Sequence, residues 1–169
     1  MNKLVKLILK YALILALFCG TAGLLLSTVY NLTEPLKAAN QASQKTAGEK
    51  QFFPEMDKIA DGAVYDARGN LLGYLLTVTA RGYSSDIELL AALDSDLHLL
   101  GIRVLSQAET PGLGAKITGT IFIDSLQGLE ISGLKLKKDG GTLDGITGAT
   151  ITSRAVIDGI RREAENLRK

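Results

Sequence analysis

The sequence predicts an α+β fold: a single N-terminal transmembrane helix, then a small domain with an antiparallel sheet and flanking helices. Three patterns predict it. The run 11–30, YALILALFCGTAGLLLSTVY, is uncharged and about as long as a bilayer-spanning helix requires. Between 63 and 106, apolar segments are separated by turns too short for crossover connections, so their strands must pair antiparallel. From Thr150 onward, Ile151, Ala155, Val156 and Ile160 recur at helical spacing.

Lys3, Lys6 and Lys10 flank the start of the span, and Leu4, Val5, Leu7, Ile8 and Leu9 extend it. The far side begins with Asn31, Thr33 and Glu34. The excess of lysine on one side predicts an N-terminus in the cytoplasm and a domain outside, on the periplasmic face of the inner membrane. A cleaved signal peptide shares the basic start. Its apolar core is shorter, however, and here the small residues Gly20, Thr21 and Ala22 sit mid-run, so a retained anchor is the reading. Phe18 is bulky where a small residue precedes a lipidated cysteine, which leaves Cys19 as an apolar residue of the span.

The chain then divides into a cytoplasmic start and membrane helix (1–32), a juxtamembrane helix or linker (33–53) and a domain (54–169). Thr33-Glu34-Pro35 reads as a helix start, with a cap, an acid in the first turn and an early proline. Ala63–Asp66 reads as a short strand and Ala67–Asn70 as a turn. Strands are expected at 71–80, 86–93 and 97–106, with Tyr74, Leu76 and Val78 on one face of the first. A short helix is expected within 117–126, a further strand at 134–138 and a turn at 137–141. The last helix is expected from Thr150 to Leu167.

Composition excludes several function classes. Net charge is +1 with no basic stripe, which argues against nucleic acid. One cysteine, Cys19, and one histidine, His98, allow neither an internal disulfide nor a Cys/His metal cluster. A serine triad would have to use His98, which comes after Asp94-Ser95-Asp96 and reads as a surface strand residue.

Two stretches carry chemistry. Asp144-Gly145-Ile146-Thr147-Gly148-Ala149-Thr150 is a small-residue turn opening into a helix. Gly148 and Ala149 leave the backbone open to close approach, and Thr147, Thr150, Thr152 and Ser153 crowd hydroxyls round a helix start whose free N–H groups suit an anion. On residues alone, Thr150 reads first as an ordinary N-cap. Glu109-Thr110-Pro111-Gly112-Leu113-Gly114-Ala115-Lys116 joins the central hairpin to the C-terminal part of the domain. It lacks the spacing of a phosphate loop and by itself reads as a Pro-Gly turn.

Thr147-Gly148-Ala149-Thr150, with Asp144 ahead and Thr152-Ser153 behind, resembles the flavinylation motif of the FMN-binding domain family. The resemblance implies that a separate flavin transferase joins FMN through its phosphate to Thr150, with Thr147, Gly148, Ala149 and Ser153 shaping the phosphate site. Thr110-Pro111-Gly112-Leu113-Gly114 is similar to the loop that packs beside the flavin ring in that family, which implies a ring lined by Glu109, Thr110, Gly112, Leu113 and Gly114. Glu109 and Lys116 would then lie close enough to bias the flavin electrostatically. The order of signals along nearly the whole chain resembles the family of G subunits of Rnf-type ion-translocating electron-transport complexes. A departure falls at Ser85-Asp86, where Gly-Pro is expected after Gly-Tyr-Ser. The related C subunits of sodium-translocating quinone reductases share the motif but are longer chains.

The resemblance implies a membrane-anchored electron carrier that works with other membrane subunits rather than a stand-alone enzyme, with FMN as its cofactor and the bilayer as its anchor. Two rivals differ in class. A reductase acting on a small molecule needs a proton donor, for which Glu109 is the one candidate. A non-redox anchored binding module needs Thr150 only as a cap.

Overall fold

The structure is a computed structural model that describes residues 3–167. It divides into two units, Met1–Ala42 and Ser43–Lys169.

Helix α1 is Lys3–Phe52, and most of it belongs to the first unit. Its apolar side chains, among them Leu24, Leu25 and Leu26, are exposed. It is the one helix among the described residues long and apolar enough to cross a membrane. The hydroxyls within the apolar stretch are satisfied locally: Thr21 donates to the Phe18 carbonyl at 3.0 Å and Thr28 to that of Leu24 at 2.8 Å. Such back-bonding is how a polar side chain is tolerated in lipid. The helix start expected at Thr33 is absent: the residue lies inside α1 and its hydroxyl donates back to the Val29 carbonyl at 2.8 Å. Pro35 is likewise internal. The capping signature is local, and the helix already running through it decides otherwise.

The second unit is built on a five-stranded antiparallel meander in chain order: β1 Lys58–Ala60, β2 Ala63–Tyr65, β3 Leu71–Arg81, β4 Asp86–Asp94 and β5 Leu99–Ser106. Asp61 and Gly62, at φ of 50° and 83°, make the two-residue turn between β1 and β2 that matches strand twist. Short aspartates close two other turns. Asp66 Oδ1 accepts from the N–H groups of Arg68 and Asn70, both at 2.8 Å, and Asp94 Oδ1 from those of Asp96 and His98 at 2.9 and 2.8 Å. His98 therefore sits at a turn and bridges to Glu130, outside the site described below.

One sheet face, with Leu76, Val78, Ile87, Leu89, Ala91 and Leu93, packs in one core with Val156, Ile157, Ile160 and Ala164 of the C-terminal helix. The same core takes Ile117 from a 3₁₀ turn at Gly114–Thr118, and Phe122 and Leu126 from α2 (Thr120–Leu126). The C-terminal helix is α3, Thr150–Asn166. The other face buries Val64, Leu75, Leu90 and Ala92 together with Phe53, and the half-buried Phe52 packs against them.

The strand expected at 134–138 does not form. Leu134 and Leu136 are buried and Lys135 is exposed, the alternation of a strand, but among the described residues the segment joins no sheet. A lone bridge joins Leu136 to Leu143, and Lys137–Asp139 closes as a 3₁₀ turn. Strand β1, only three residues long, carries no sequence pattern that would announce it.

Candidate functional site

The site is built where three segments meet: the β3–β4 turn at 82–85, the 109–114 loop and the start of α3. The Glu109 carboxylate joins them. It is only 5 % exposed, and its Oε1 accepts from the N–H groups of Ser84 and Ser85 at 2.8 and 3.0 Å. Its Oε2 accepts from Thr152 Oγ1 at 2.7 Å and from the Tyr83 N–H at 3.3 Å. Successive backbone N–H groups form a natural anion cradle, filled here by the chain's own carboxylate. Burial alone would raise the Glu109 pKa, but the hydrogen bonds from Thr152, Ser85, Ser84 and Tyr83 outweigh it and hold the carboxyl below its ordinary value. Glycines make room: a Cβ at Gly82 or Gly114 would lie 2.5 Å from a Glu109 oxygen. With four donors on its two oxygens, Glu109 is committed to holding the loops together.

The turn before α3 depends on Gly148 and Ser153. Gly148 has φ 80°, a conformation that side chains with a Cβ resist, and a Cβ there would lie 2.9 Å from Leu113 Cδ2. The two sequence motifs thus meet at Leu113 and Gly148. Ser153 is fully buried. Its hydroxyl accepts from the Ile146 N–H at 3.0 Å and donates to the Ala149 carbonyl at 3.0 Å. Ser153 therefore shapes the turn from behind and spends its hydroxyl there. Ala149 occupies the N-cap position, and α3 carries no side-chain cap bond. Thr150 is the first helical residue, so its hydroxyl is not used as a cap. It instead accepts from Lys138 Nζ at 3.3 Å.

Thr150 opens into a cavity of about 510 Å³ lined by Glu109, Thr110, Leu113, Gly114, Gly148, Ala149 and Thr150, together with Tyr83, Lys138, Ile151 and Thr152. That volume lies within the range of about 300–1,000 Å³ common for small-molecule sites. Exposed Leu113, Ile151 and Tyr83 supply apolar wall, and Lys138 supplies charge. Thr147 and Gly112 line an adjoining groove of about 860 Å³ that also holds Lys116, Phe122 and Asp144, and Thr147 shares a smaller pocket of about 200 Å³ with Gly148, Thr150 and Lys138. Of the ten residues singled out from the sequence, seven line the Thr150 cavity, Gly112 lines the neighbouring groove, Thr147 lines that groove and a smaller pocket shared with Thr150, and Ser153 lies beneath the turn.

Residues 82–165 match the FMN-binding domain family. Over 172 residues the chain is 32 % identical to the G subunit of an ion-translocating oxidoreductase complex from Methanosarcina acetivorans, covering 92 % of each chain. It is 33 % identical over 184 residues to the corresponding G subunit from Aliivibrio fischeri, covering 90 % of this chain and 87 % of that one. The chain belongs to the family of these G subunits. A crystal structure of the C subunit of Na⁺-translocating NADH-quinone reductase from Parabacteroides distasonis aligns at 27 % identity with a TM-score of 0.49, over 65 % of this chain and 58 % of that one.

Some residues of the site in this G-subunit relative give little sign of themselves in the sequence. Lys138 carries only a turn signal there. No sequence signal marks it as part of the site; in the structure its neighbours pair, Lys137 with Asp144 at 2.6 Å and Asp139 with Arg154 at 2.7 and 2.8 Å, and these pairs set its turn beside Thr150. Thr152 reads as one hydroxyl among several near the helix start, whereas it is the residue that ties α3 to Glu109. The departure at Ser85 also has a local role, since its Oγ accepts from the Ala108 N–H at 2.8 Å and draws the approach to the 109–114 loop onto the β3–β4 turn.

Proposed function

We propose that this chain is the FMN-carrying, membrane-anchored subunit of an ion-translocating electron-transport complex, with FMN held through its phosphate on Thr150. The observation that carries the reading is the Thr150 hydroxyl. It is free of capping duty, lines a cavity of about 510 Å³ with apolar walls, and stands beside a cation. The match of residues 82–165 to the FMN-binding domain family and the likeness to the G subunits support it. The residues present fit the group: Gly148 and Ala149 present bare backbone beside Thr150, and Leu113, Ile151 and Tyr83 offer apolar surface to a ring.

When bound, FMN supplies one-electron transfer. The chain's own residues hold it. Attachment exchanges the Thr150 Oγ–H bond for an Oγ–P bond. The phosphoanhydride of an activated donor, a flavin dinucleotide, breaks; the nucleoside monophosphate departs and the hydroxyl proton is released. A flavin transferase is the partner for this step. Helix α1 anchors the chain in the inner membrane with its N-terminus cytoplasmic and the 54–169 domain on the periplasmic side, in keeping with Lys3, Lys6 and Lys10 before the span. A covalent link keeps a cofactor in place on the face of the membrane where a dissociated one is lost. The redox partners are other membrane subunits of the complex.

The test is intact mass together with in-gel flavin fluorescence after denaturation, on protein co-expressed with an exporting flavin transferase and beside the Thr150→Ala variant. A mass gain of one FMN less one water, with fluorescence that survives denaturation, is expected in the wild type and absent in the variant. A colourless, unmodified wild type would overturn the reading.

A further inference from the structure

We propose that Lys138 is the cation that holds the phosphoryl group carried by Thr150, an inference that rests on the reading that Thr150 carries FMN. Lys138 Nζ is 3.3 Å from Thr150 Oγ1. Twelve residues separate the two in sequence, so their meeting is a product of the fold. A phosphorus bonded to that oxygen brings its charged non-bridging oxygens into the neighbourhood of the ammonium, where a charge-assisted hydrogen bond replaces the present one to a neutral hydroxyl.

The backbone that carries Lys138 is held in place rather than loose. It is the middle residue of the 3₁₀ turn Lys137–Asp139, closed by Gly140 and by hydrogen bonds from the N–H groups of Asp139 and Gly141 to the Leu136 carbonyl, both at 2.9 Å. Each flanking charge is already neutralised. Lys137 Nζ donates to Asp144 Oδ2 at 2.6 Å, and both Asp139 oxygens accept from the Arg154 guanidinium at 2.7 and 2.8 Å. Arg154 lies on the second turn of α3, so this two-pronged pair ties the lysine turn to the helix that carries Thr150. Among the described residues, no carboxylate lies within ion-pair distance of Lys138, whereas Lys137 and Arg154 each have one. A positive charge with no carboxylate within ion-pair distance, set beside a hydroxyl and lining the same cavity as that hydroxyl, is suited to an anionic group arriving on it.

The experiment uses the full chain, co-expressed with a flavin transferase, in wild-type, Lys138→Met, Lys138→Arg, Lys137→Met and Thr150→Ala forms. Two quantities are read. The first is the time course of covalent FMN attachment by in-gel fluorescence. The second is the modification of individual lysines by an amine-reactive reagent, measured by peptide mass spectrometry in the FMN-free and FMN-loaded wild type. Attachment is expected to slow about tenfold in Lys138→Met, from the loss of one charge-assisted hydrogen bond at a partly exposed site. It should stay near the wild-type rate in Lys138→Arg and Lys137→Met. Lys138 should be protected from the reagent on loading, while Lys137 should react equally in both states. Unchanged reactivity of Lys138 on loading would overturn the proposal. That holds even if Lys138→Met loads slowly, a result that would assign the residue to recognition by the transferase. Wild-type loading speed in Lys138→Met would overturn it too, with the FMN reading intact as long as Thr150→Ala remains empty. Failure of the wild type to load at all would instead remove the FMN reading on which the proposal rests.

Discussion

Thr152 donates its hydroxyl proton to Glu109 Oε2 at 2.7 Å, and this bond between a buried threonine and a buried carboxylate ties the start of α3 to the 109–114 loop. Both residues are hidden from solvent, 43 positions apart, and the same carboxylate takes three backbone N–H groups from the β3–β4 turn. Three of the segments that wall the Thr150 cavity are thus held by one side chain.

Glu109→Gln keeps the size of that side chain but replaces an oxygen acceptor with an amide donor facing N–H groups or a hydroxyl. At least one of the four donors then loses its partner in a buried setting, at a cost of about 1–3 kcal/mol. Chemical denaturation of the FMN-free protein should show a lower midpoint with an unchanged slope. Covalent attachment at Thr150 should slow as the cavity loosens.

The same carboxylate sets an acid limit. Its folded pKa lies below its ordinary value of 4.5, so its contribution is fully present above that pH and is lost as pH falls through the depressed folded value. Wild-type stability should therefore decline below about pH 4.5. The Glu109→Gln variant, already weaker at neutral pH, should show a shallower decline. Thermal melts at a series of pH values check both, and parallel curves for the two proteins would count against the assignment.

Gly148→Ala forces a side chain into the φ 80° conformation and places its Cβ 2.9 Å from Leu113 Cδ2. The backbone conformation alone costs about 1–2 kcal/mol. A loss of that size in denaturation, with slower covalent attachment of FMN, is expected. Leu113→Ala in the same background relieves the contact but not the backbone strain, so it should recover only part of the stability.

Ser153→Ala leaves the Ile146 N–H without its acceptor beneath the turn. The expected cost is about 1–3 kcal/mol. Amide hydrogen exchange at Ile146 should accelerate more than at residues in the middle of β4. Equal acceleration at both would mean that the variant unfolds globally and that the hydroxyl has no special hold on the turn.

Much of the molecule is legible residue by residue. The apolar run at 11–30, the strand boundaries between 71 and 106, and the helix from Thr150 are all patterns with a short period, and each reports on solvent or on immediate neighbours. The segment 134–138 shows where that logic stops. Its alternation places Leu134 and Leu136 in the core as a strand would, yet a strand also needs a partner, and among the described residues only the lone Leu136–Leu143 bridge pairs it. At Thr33-Glu34-Pro35 the residues of a helix start sit inside a helix, since a cap signature states only what a terminus would use if one were there.

The site divides along the same line. Sequence by itself determined the apolar span, the antiparallel meander and the turn into α3, while the resemblance of Thr-Gly-Ala-Thr to a family motif pointed to Thr150 as the proposed seat of the flavin phosphate. The first three rest on local composition and spacing, where backbone preference and solvent contrast act over a few residues. Tertiary structure alone decided that Glu109 accepts from four donors, that Ser153 works from beneath the turn, and that Lys138 meets Thr150. Hydrogen bonds and charge pairs of that kind join residues between seven and 43 positions apart. Their donors and acceptors come within reach only after the sheet and α3 have buried their shared apolar face, a long-range event that no local pattern encodes.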